Sequence, residues 1–471
     1  MQASKSNAAP QINRGNQDMF ERMIDGFESA GMPYCILAGY DQFPQEITSD
    51  IDFMVSTSWS AQLPVHIAAI AKSSGARLVQ YLQHETTAGY FVIARLQGSK
   101  IDYLHPDASS DYRRNGHLWI KAEKLLANRR RHPNHFWVAS AADSFHYYLI
   151  KKLDKKSISA AQAKELTVRY GEDIRNCRER LYDVLPPSDA LTLELGLNGN
   201  KPFDGISWQN IIAKLPYLRS VLHANASQIN WRDQLSDSLG NISLKWQRLR
   251  QPTGLSIVFL GPDGSGKSTV IDAVSAELAQ AFRHVAYRHL TPGRVSKKSA
   301  GRIVTDPHAQ PLRGKIGSYL KLMHFWSTYL LGSLSWLYPK KVCSTLVVFD
   351  RYFQDLLADP RRYRYSGSLK LAALLGRWLP QPDLVFILDA PTAVLQSRKQ
   401  EVTPEESNRQ RMAYRSLVAE FQQATVIDTS QSVDASVAHV LEQVLDFLEL
   451  RTARRLKLRP INRKVPHLCK S

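Results

Sequence analysis

Nine consecutive residues carry the most specific chemistry in the chain: Gly261, Pro262, Asp263, Gly264, Ser265, Gly266, Lys267, Ser268 and Thr269. Glycines at these spacings let a backbone turn lie close enough to aim its N–H groups at phosphate oxygens. Lys267 is spaced to reach the β- and γ-phosphates of a nucleotide, and the Ser268 hydroxyl to ligate Mg²⁺. A helix opening at this point adds a favourable field for anions. The set predicts ATP and Mg²⁺ as bound groups, with residues 261–269 as their cradle. Downstream, STLVVFDRY is an apolar strand ending in Asp350, which is placed to hold Mg²⁺ or its water, with Arg351 beside it. A second apolar run, PDLVFILDAP, precedes Arg398, Lys399, Arg409, Arg411 and Arg415. Arginines there would neutralise the charge that develops in phosphoryl transfer, and the alternative is surface pairing with Glu401, Glu405 and Glu406.

A different chemistry is written in the first half. Gly39 ends a short apolar run, and eleven residues later comes Asp50-Ile51-Asp52. In a strand, residues two apart share a face, so Asp50 and Asp52 point the same way. Asp102, in a further short strand, is the third candidate. Three carboxylates on neighbouring strands can hold two Mg²⁺ ions, the arrangement used for attack on an α-phosphate.

Those residues need elements to position them. Helical periodicity over 18–31 leads into a strand at 34–39, and further strands are expected at 51–55, 90–96 and 100–104. From 140 to about 222 the pattern is helical. Residues 236–254 contain the expected junction, after which strand Leu255–Leu260 opens an alternation of strands and helices. The domain organisation read from this is a disordered N-terminus over 1–17, a domain over 18–158, a helical extension and linker over 159–250, a P-loop domain over 251–450 and a basic tail over 451–471. Residues 322–338, LMHFWSTYLLGSLSWLY, are too short and too polar for a membrane span and predict a mostly buried helix, with membrane-surface contact as the alternative.

The chain has 471 residues, 61 Lys+Arg against 43 Asp+Glu, and a formal net charge of +18. Its 44% hydrophobic and 22% charged content is globular and excludes a disordered or fibrous protein. Eight of the Lys/Arg lie in residues 451–471, which carry no acid. That tail is read as a solubilising end, with an anionic membrane surface or nucleic acid as the alternative. Four scattered cysteines without a CxxC pair argue against a disulfide framework or zinc ribbon. The polar first 17 residues show no signal peptide, so the cytoplasm is the expected compartment. The 14 histidines form no metal-spaced cluster, and no motif supports sequence-specific nucleic-acid recognition.

GPDGSGKST, FDRY, PDLVFILDAP, the Arg-rich stretch and the late TVIDTS strand together resemble the thymidylate kinase family, over roughly residues 254–450. The resemblance implies an α/β, three-layer P-loop kinase fold with a parallel five-stranded sheet, ATP–Mg²⁺ as donor and a phosphorylated acceptor. It also implies that Asp263 contacts the acceptor's sugar and that Asp350 and Arg351 lie at the acceptor phosphate and metal. Where some family members carry an arginine inside the loop, this chain has Gly264, so Arg398, Arg409 and Arg411 are the candidate catalytic arginines. The family's TREPGG-like segment is replaced by RHLTPGR (288–294), and its acceptor helix by the aromatic-rich 322–338. Arg361, Arg362 and Arg364 then favour an anionic or sugar-containing acceptor, a nucleoside monophosphate, a sugar or a sugar phosphate, and do not suggest a thymine pocket. The Gly39 turn, the Asp50/Asp52 pair and Asp102 resemble the nucleotidyltransferase superfamily, implying an α+β domain with a helical extension before the kinase. The expected function is phosphoryl transfer from ATP. The alternatives are a kinase and nucleotidyltransferase joined for surface polysaccharide precursors, or an ATP-dependent regulatory protein.

Overall fold

The computed structural model describes residues 14–47, 50–114, 117–198, 206–225, 227–228, 231–292, 311–400 and 402–458. The chain forms two compact units, one from residues up to 94, 102–244 and 456–458, the other from 95–101 and 245–455. The boundary falls inside helix Trp231–Arg250, across the expected junction.

The first unit is built on a mixed sheet. Its strand order is Arg77–Glu85, Ala88–Gln97, Pro106–Ser109, Ile51–Val55, Tyr34–Ala38, Trp137–Val138 and Arg130–Arg131, with Lys100–Leu104 pairing off this path onto Ala88–Gln97. Alternation along Tyr34–Ala38 divides the cores. Tyr34 and Ile36 join Phe20, Phe27, Leu63 and Ile67 from the helices Arg14–Ser29 and Leu63–Ser73. Cys35 and Leu37 join Phe145, Leu149, Leu166, Leu181 and Leu193 on the other side. The helices Ala141–Lys155, Ala160–Glu172, Ile174–Val184, Pro187–Leu197 and Ile206–Asn225 therefore share a core with the sheet. Local capping sets their limits. Ser140 accepts from the Asp143 N–H, Ser159 and Gln162 form a capping box, and Asp173 caps the helix at Ile174, splitting what reads in sequence as one helix. Each such cap contributes about 1 kcal/mol.

Residues 14–17, expected to be disordered, belong to the first helix, where Asn16 is buried and its Nδ2 donates to the Ile47 carbonyl at 2.8 Å. Residues 1–13 lie outside the described residues. A similar correction applies at the other end. Helix Val433–Arg455 runs into the expected tail, and Arg451 donates to the carbonyls of Gly254 and Thr253 at 2.6 and 2.7 Å. Residues 459–471 of the tail lie outside the described residues.

The second unit has a five-stranded, all-parallel sheet in the order His284–His289, Thr345–Asp350, Leu255–Leu260, Leu384–Asp389, Ala424–Asp428. The central three strands are buried along their whole length, which is why LSIVFL, TLVVFD and LVFILD read as continuous apolar runs without alternation. The phosphate loop and the Asp350 strand end are thus carried by adjacent strands, with Phe259 opposite Asp350.

The expectation of a mostly buried helix over 322–338 is only half met. Helix Lys315–Gly332 continues through a wider π-type turn, Ser333–Leu337, into Tyr338–Val342. Leu322, Tyr329 and Leu337 enter the core, while Leu320, Met323, Leu331 and Leu334 are exposed. No helix among the described residues is long and apolar enough to cross a membrane.

Candidate active site

The loop 261–266 connects strand Leu255–Leu260 to helix Lys267–Leu278. Gly261 and Gly264 have φ of +149° and +84°, and Gly266 is left-handed at +79°. A Cβ on Gly261 would fall 2.4 Å from the Leu388 carbonyl, so this position admits only glycine. Lys267 is buried at the first position of the helix and donates from Nζ to the carbonyls of Gly261 and Pro262, each at 2.8 Å. Burial, then the neighbouring Arg351, lower its pKa to about 8. Ser268 and Thr269 lie exposed on the same turn.

The strand end opposite the loop is equally organised. Tyr287 donates to Oδ2 of Asp350 at 3.2 Å, while Oδ1 of Asp350 is buried without a hydrogen-bond partner among the described residues. Ser265 Oγ is unpartnered in the same way. Arg351 adopts φ +78°, an uncommon conformation for a residue with a side chain, and its N–H donates to the Phe259 carbonyl at 3.0 Å. The turn directs its guanidinium to Asp263 at 2.9 Å and to Asp355 at 3.1 Å. Arg362 reaches Asp263 from the other side and pairs with Asp359 at 3.1 Å. Tyr414 and Tyr363 both donate to Asp355, at 2.7 Å each. Burial opposes ionisation of Asp263, but Lys267, Arg362 and Arg351 together hold its carboxyl well below the usual range. One carboxylate in the loop is thus the meeting point of two arginines from the segment after Asp350.

The three candidate arginines of the Arg-rich stretch, Arg398, Arg409 and Arg411, face different ways. Arg411 forks onto Asp389 at 2.9 and 3.1 Å, where Arg415 joins it at 3.0 Å. Arg398 donates to the Thr429 carbonyl at 2.9 Å. Arg409 pairs with Glu406 at 2.7 Å and donates to the Ala358 carbonyl at 3.4 Å, which places it beside the loop that carries Arg362. Arg361 is exposed, and Arg364 donates to the Pro311 carbonyl at 2.8 Å. Behind these groups, Phe325 stacks on Phe353 with centroids 5.3 Å apart, and Tyr329 packs edge-on against Tyr352. Of RHLTPGR, residues 293–294 lie outside the described residues. Arg288 lies over the Trp336 ring at 4.3 Å.

In the first unit the structure keeps Asp50 and Asp52 together but replaces their third partner. Strand Pro106–Ser109 runs parallel to Ile51–Val55 with Asp107 directly opposite Asp52. Asp102 belongs to the strand that pairs elsewhere, and its carboxylate lies over Gly15 in the first turn of the first helix. A Cβ on Gly15 would fall 1.8 Å from Asp102 Oδ2. The reason for the correction is strand pairing: after the break at His105 the chain stays beside Ala88–Gln97 and gains Ile51–Val55 as a second, parallel partner, so Asp107 and not Asp102 stands opposite Asp52. The Asp107 carboxyl is pushed up to about 7 by burial and then by Asp52. Lys151 pairs with Asp52 and donates to the Tyr147 hydroxyl at 3.2 Å. Asp50 accepts from Tyr90 at 3.0 Å. Among the described residues no group of three or more His, Cys, Asp or Glu is disposed to hold a metal ion. Gly39 is required where it stands, because a Cβ there would fall 2.2 Å from the Asp50 carbonyl. Tyr40 turns its ring edge toward Phe136 and His132.

Sequence reasoning passed over Asp107, Lys151, Asp355, Tyr414, Tyr287 and Asp389. Asp355 had a usable signal, lying four residues after Arg351 in a helical spacing. Lys151 and Tyr414, far away along the chain, had none.

Comparison with known proteins bears on part of the chain. No family profile matches it. It is similar to the thymidylate kinase of Staphylococcus haemolyticus, 27% identical over 210 residues, spanning 41% of this chain and 98% of that protein. A thymidylate kinase of Staphylococcus epidermidis is 26% identical over 197 residues, covering 40% and 93%. A putative ABC transporter ATP-binding protein of Methanopyrus kandleri is 28% identical over 156 residues, 32% of this chain and 54% of that protein. Among solved structures, a thymidylate kinase from Ehrlichia chaffeensis covers 41% of this chain and 100% of its own, at 20% identity and a TM-score of 0.32. Homology to thymidylate-kinase-like P-loop kinases thus extends over about 41% of the chain.

Proposed function

We propose that the second unit is an ATP-dependent kinase that moves the γ-phosphoryl group to a phosphate-bearing acceptor, a nucleoside monophosphate or sugar phosphate. The observation that carries this reading is the convergence of Arg351 and Arg362 on Asp263 inside the phosphate loop. It sets two guanidiniums beside the lysine that binds the donor, which is the charge distribution an anionic acceptor needs. The residues fit the donor and its metal. The loop glycines admit close backbone approach, and the buried Asp350 Oδ1, without a hydrogen-bond partner among the described residues, is an acceptor that a cation would satisfy. Asp350 and Ser268 would hold Mg²⁺, which when bound neutralises phosphate charge.

In this reading Lys267 exchanges its two carbonyl contacts for phosphate oxygens. An acceptor phosphate oxygen forms the new P–O bond as the bond to the leaving ADP breaks. Arg351, held by Asp355, orients the acceptor phosphate. Arg409, beside the loop that carries Arg362, is the lid arginine assigned to the charge that develops during transfer. Arg411 and Arg415 anchor the lid through Asp389. Asp263 keeps both acceptor arginines in register and is available to a sugar hydroxyl.

The test is transfer of label from [γ-³²P]ATP–Mg²⁺ to a panel of nucleoside monophosphates, including dTMP, and of sugars and sugar phosphates, with Lys267→Ala as the blank. Product on dTMP assigns the acceptor named for the relatives. Product only on a sugar phosphate places the protein in carbohydrate activation. ATP hydrolysis that needs Lys267 but no acceptor overturns the kinase reading in favour of a nucleotide-driven regulator.

A second reading concerns the first unit and is favoured by Asp107 standing opposite Asp52. The carboxylates at 50, 52 and 107 are proposed to serve nucleotidyl transfer, making the chain bifunctional. Asp52→Asn is then expected to abolish incorporation of a labelled nucleoside monophosphate from its triphosphate while leaving γ-phosphoryl transfer intact. Loss of neither or of both would remove it.

A further inference from the structure

Helix Lys315–Gly332 and its continuation expose a stripe that the proposed chemistry does not use. Ile316, Leu320, Met323, Leu331, Leu334 and Tyr338 recur at spacings of three, four and eight, so they share one side of the helix. Ile316, Leu320 and Leu334 are 79%, 68% and 61% exposed. The neighbouring helix Leu369–Arg377, joined to this one by the Trp326 indole donating to the Leu375 carbonyl at 3.0 Å, exposes Leu371, Leu374 and Trp378, the last at 70%. At the other end Tyr338 donates to the Leu249 carbonyl, and Leu249 and Trp246 are themselves exposed. Scattered exposed leucines are ordinary, but a run of this extent on one unit marks an interaction surface.

Charge decides which kind. Residues 311–349 contain Arg313, Lys315, Lys321, Lys340 and Lys341 and no acid, and residues 360–382 contain Arg361, Arg362, Arg364, Lys370 and Arg377 and no acid. Carboxylates from elsewhere cover only part of this: Asp383 pairs with Lys341, Glu420 with Arg377, and Asp263 and Asp359 with Arg362. Lys315 and Lys370 are exposed beside the apolar stripes. A second copy of the chain would bring the same cations against themselves across a two-fold interface. An anionic bilayer presents acyl chains for the leucines, an interface for Trp378, Trp246 and Tyr338, and phosphates for the lysines.

We propose that this face of the second unit binds the surface of an anionic membrane, lying in the interface without spanning it. The lysines draw the protein to the headgroups, and the apolar stripe enters the acyl boundary. This holds whatever the acceptor is, and it assigns the surface to residues 315–338 and 369–378 and not to the basic C-terminal segment.

Flotation of the full-length chain with phosphatidylcholine vesicles, and with vesicles of equal parts phosphatidylcholine and phosphatidylglycerol, tests it. Binding to the anionic vesicles is expected, with little to the neutral ones, and it should weaken as ionic strength rises. Leu320→Glu combined with Trp378→Glu should lower the bound fraction at least about tenfold. Should that variant misfold, Lys315→Gln with Lys370→Gln should reduce both the binding and its salt dependence. Four results overturn the proposal: no flotation on anionic vesicles, equal flotation on neutral ones, loss of binding on removing residues 459–471 with the face intact, or a dimer in sedimentation that Leu320→Glu with Trp378→Glu dissociates.

Discussion

The two phosphate-chemistry candidates in this chain differ in how far apart their residues lie. The cradle at 261–269 is one loop and the first turn of the helix after it, and the groups proposed to bind phosphate are fixed by the φ angles of three glycines and by that helix. The carboxylates of the first unit come from two strands about fifty residues apart, and which acids meet depends on strand pairing. Local motifs carry their own geometry, whereas dispersed ones inherit it from topology. That is why residues 261–269 stay together in space, while the acid that faces Asp52 is Asp107 and not Asp102. The Arg-rich stretch belongs to the second kind: Arg398, Arg409 and Arg411 are close in sequence, yet each is committed to a different partner.

Four substitutions sharpen or break that contrast. The largest effect belongs to the local site. Lys267→Ala should lower phosphoryl transfer about 10³-fold without unfolding the chain, read as kcat with the labelled-ATP assay. A loss under tenfold would break the assignment. Next comes the buried network that ties the loop to the segment after Asp350. Asp355→Asn leaves Arg351 with one carboxylate fewer in a buried setting and should cost about 3 kcal/mol in chemical denaturation. An unchanged midpoint would mean that the network is dispensable.

The third prediction addresses the dispersed site. Because the Asp107 carboxyl is raised to about 7, the fold retains a proton that the unfolded chain has already released, so this group's contribution to stability falls as pH rises from about 4 to 7. Asp107→Asn should remove that decline and stabilise the protein near pH 8 by on the order of 2 kcal/mol, a figure reduced for the side chain's partial access to water. Equal denaturation profiles for variant and parent across this range would contradict a buried Asp107 carboxyl held protonated beside Asp52. The smallest effect is expected at Asp102, where Asn should cost about 0.5 kcal/mol through the first turn of helix Arg14–Ser29. It should leave the pH profile set by Asp107 untouched. A shift of that profile would return Asp102 to the carboxylate cluster.

Much of this is legible in the sequence. Strands Ile51–Val55, Lys100–Leu104 and Leu255–Leu260 lie where the apolar runs end, and the parallel sheet of the second unit follows from three such runs separated by helical spacing. Strand Pro106–Ser109 was not legible, because PDAS has no alternation and its place is set by the neighbours it pairs with. Helix Trp231–Arg250 was hidden by a glycine and several serines that read as a junction. The helix over 315–332 was visible as an element, but its exposed side was not, since an apolar stripe looks the same whether it faces a core or water.

By itself the sequence determined the phosphate loop, the strand on either side of it and the excess of positive charge, because each depends on residues adjacent in the chain. Tertiary structure alone decided which acid faces Asp52, that Asp263 gathers Arg351 and Arg362, that Arg409 stands beside the loop that carries Arg362, and which leucines remain outside. Those outcomes depend on strand order, on a left-handed turn at Arg351 and on which faces the packing leaves uncovered. Such choices are made among many distant partners at once, and no short window of the chain contains them.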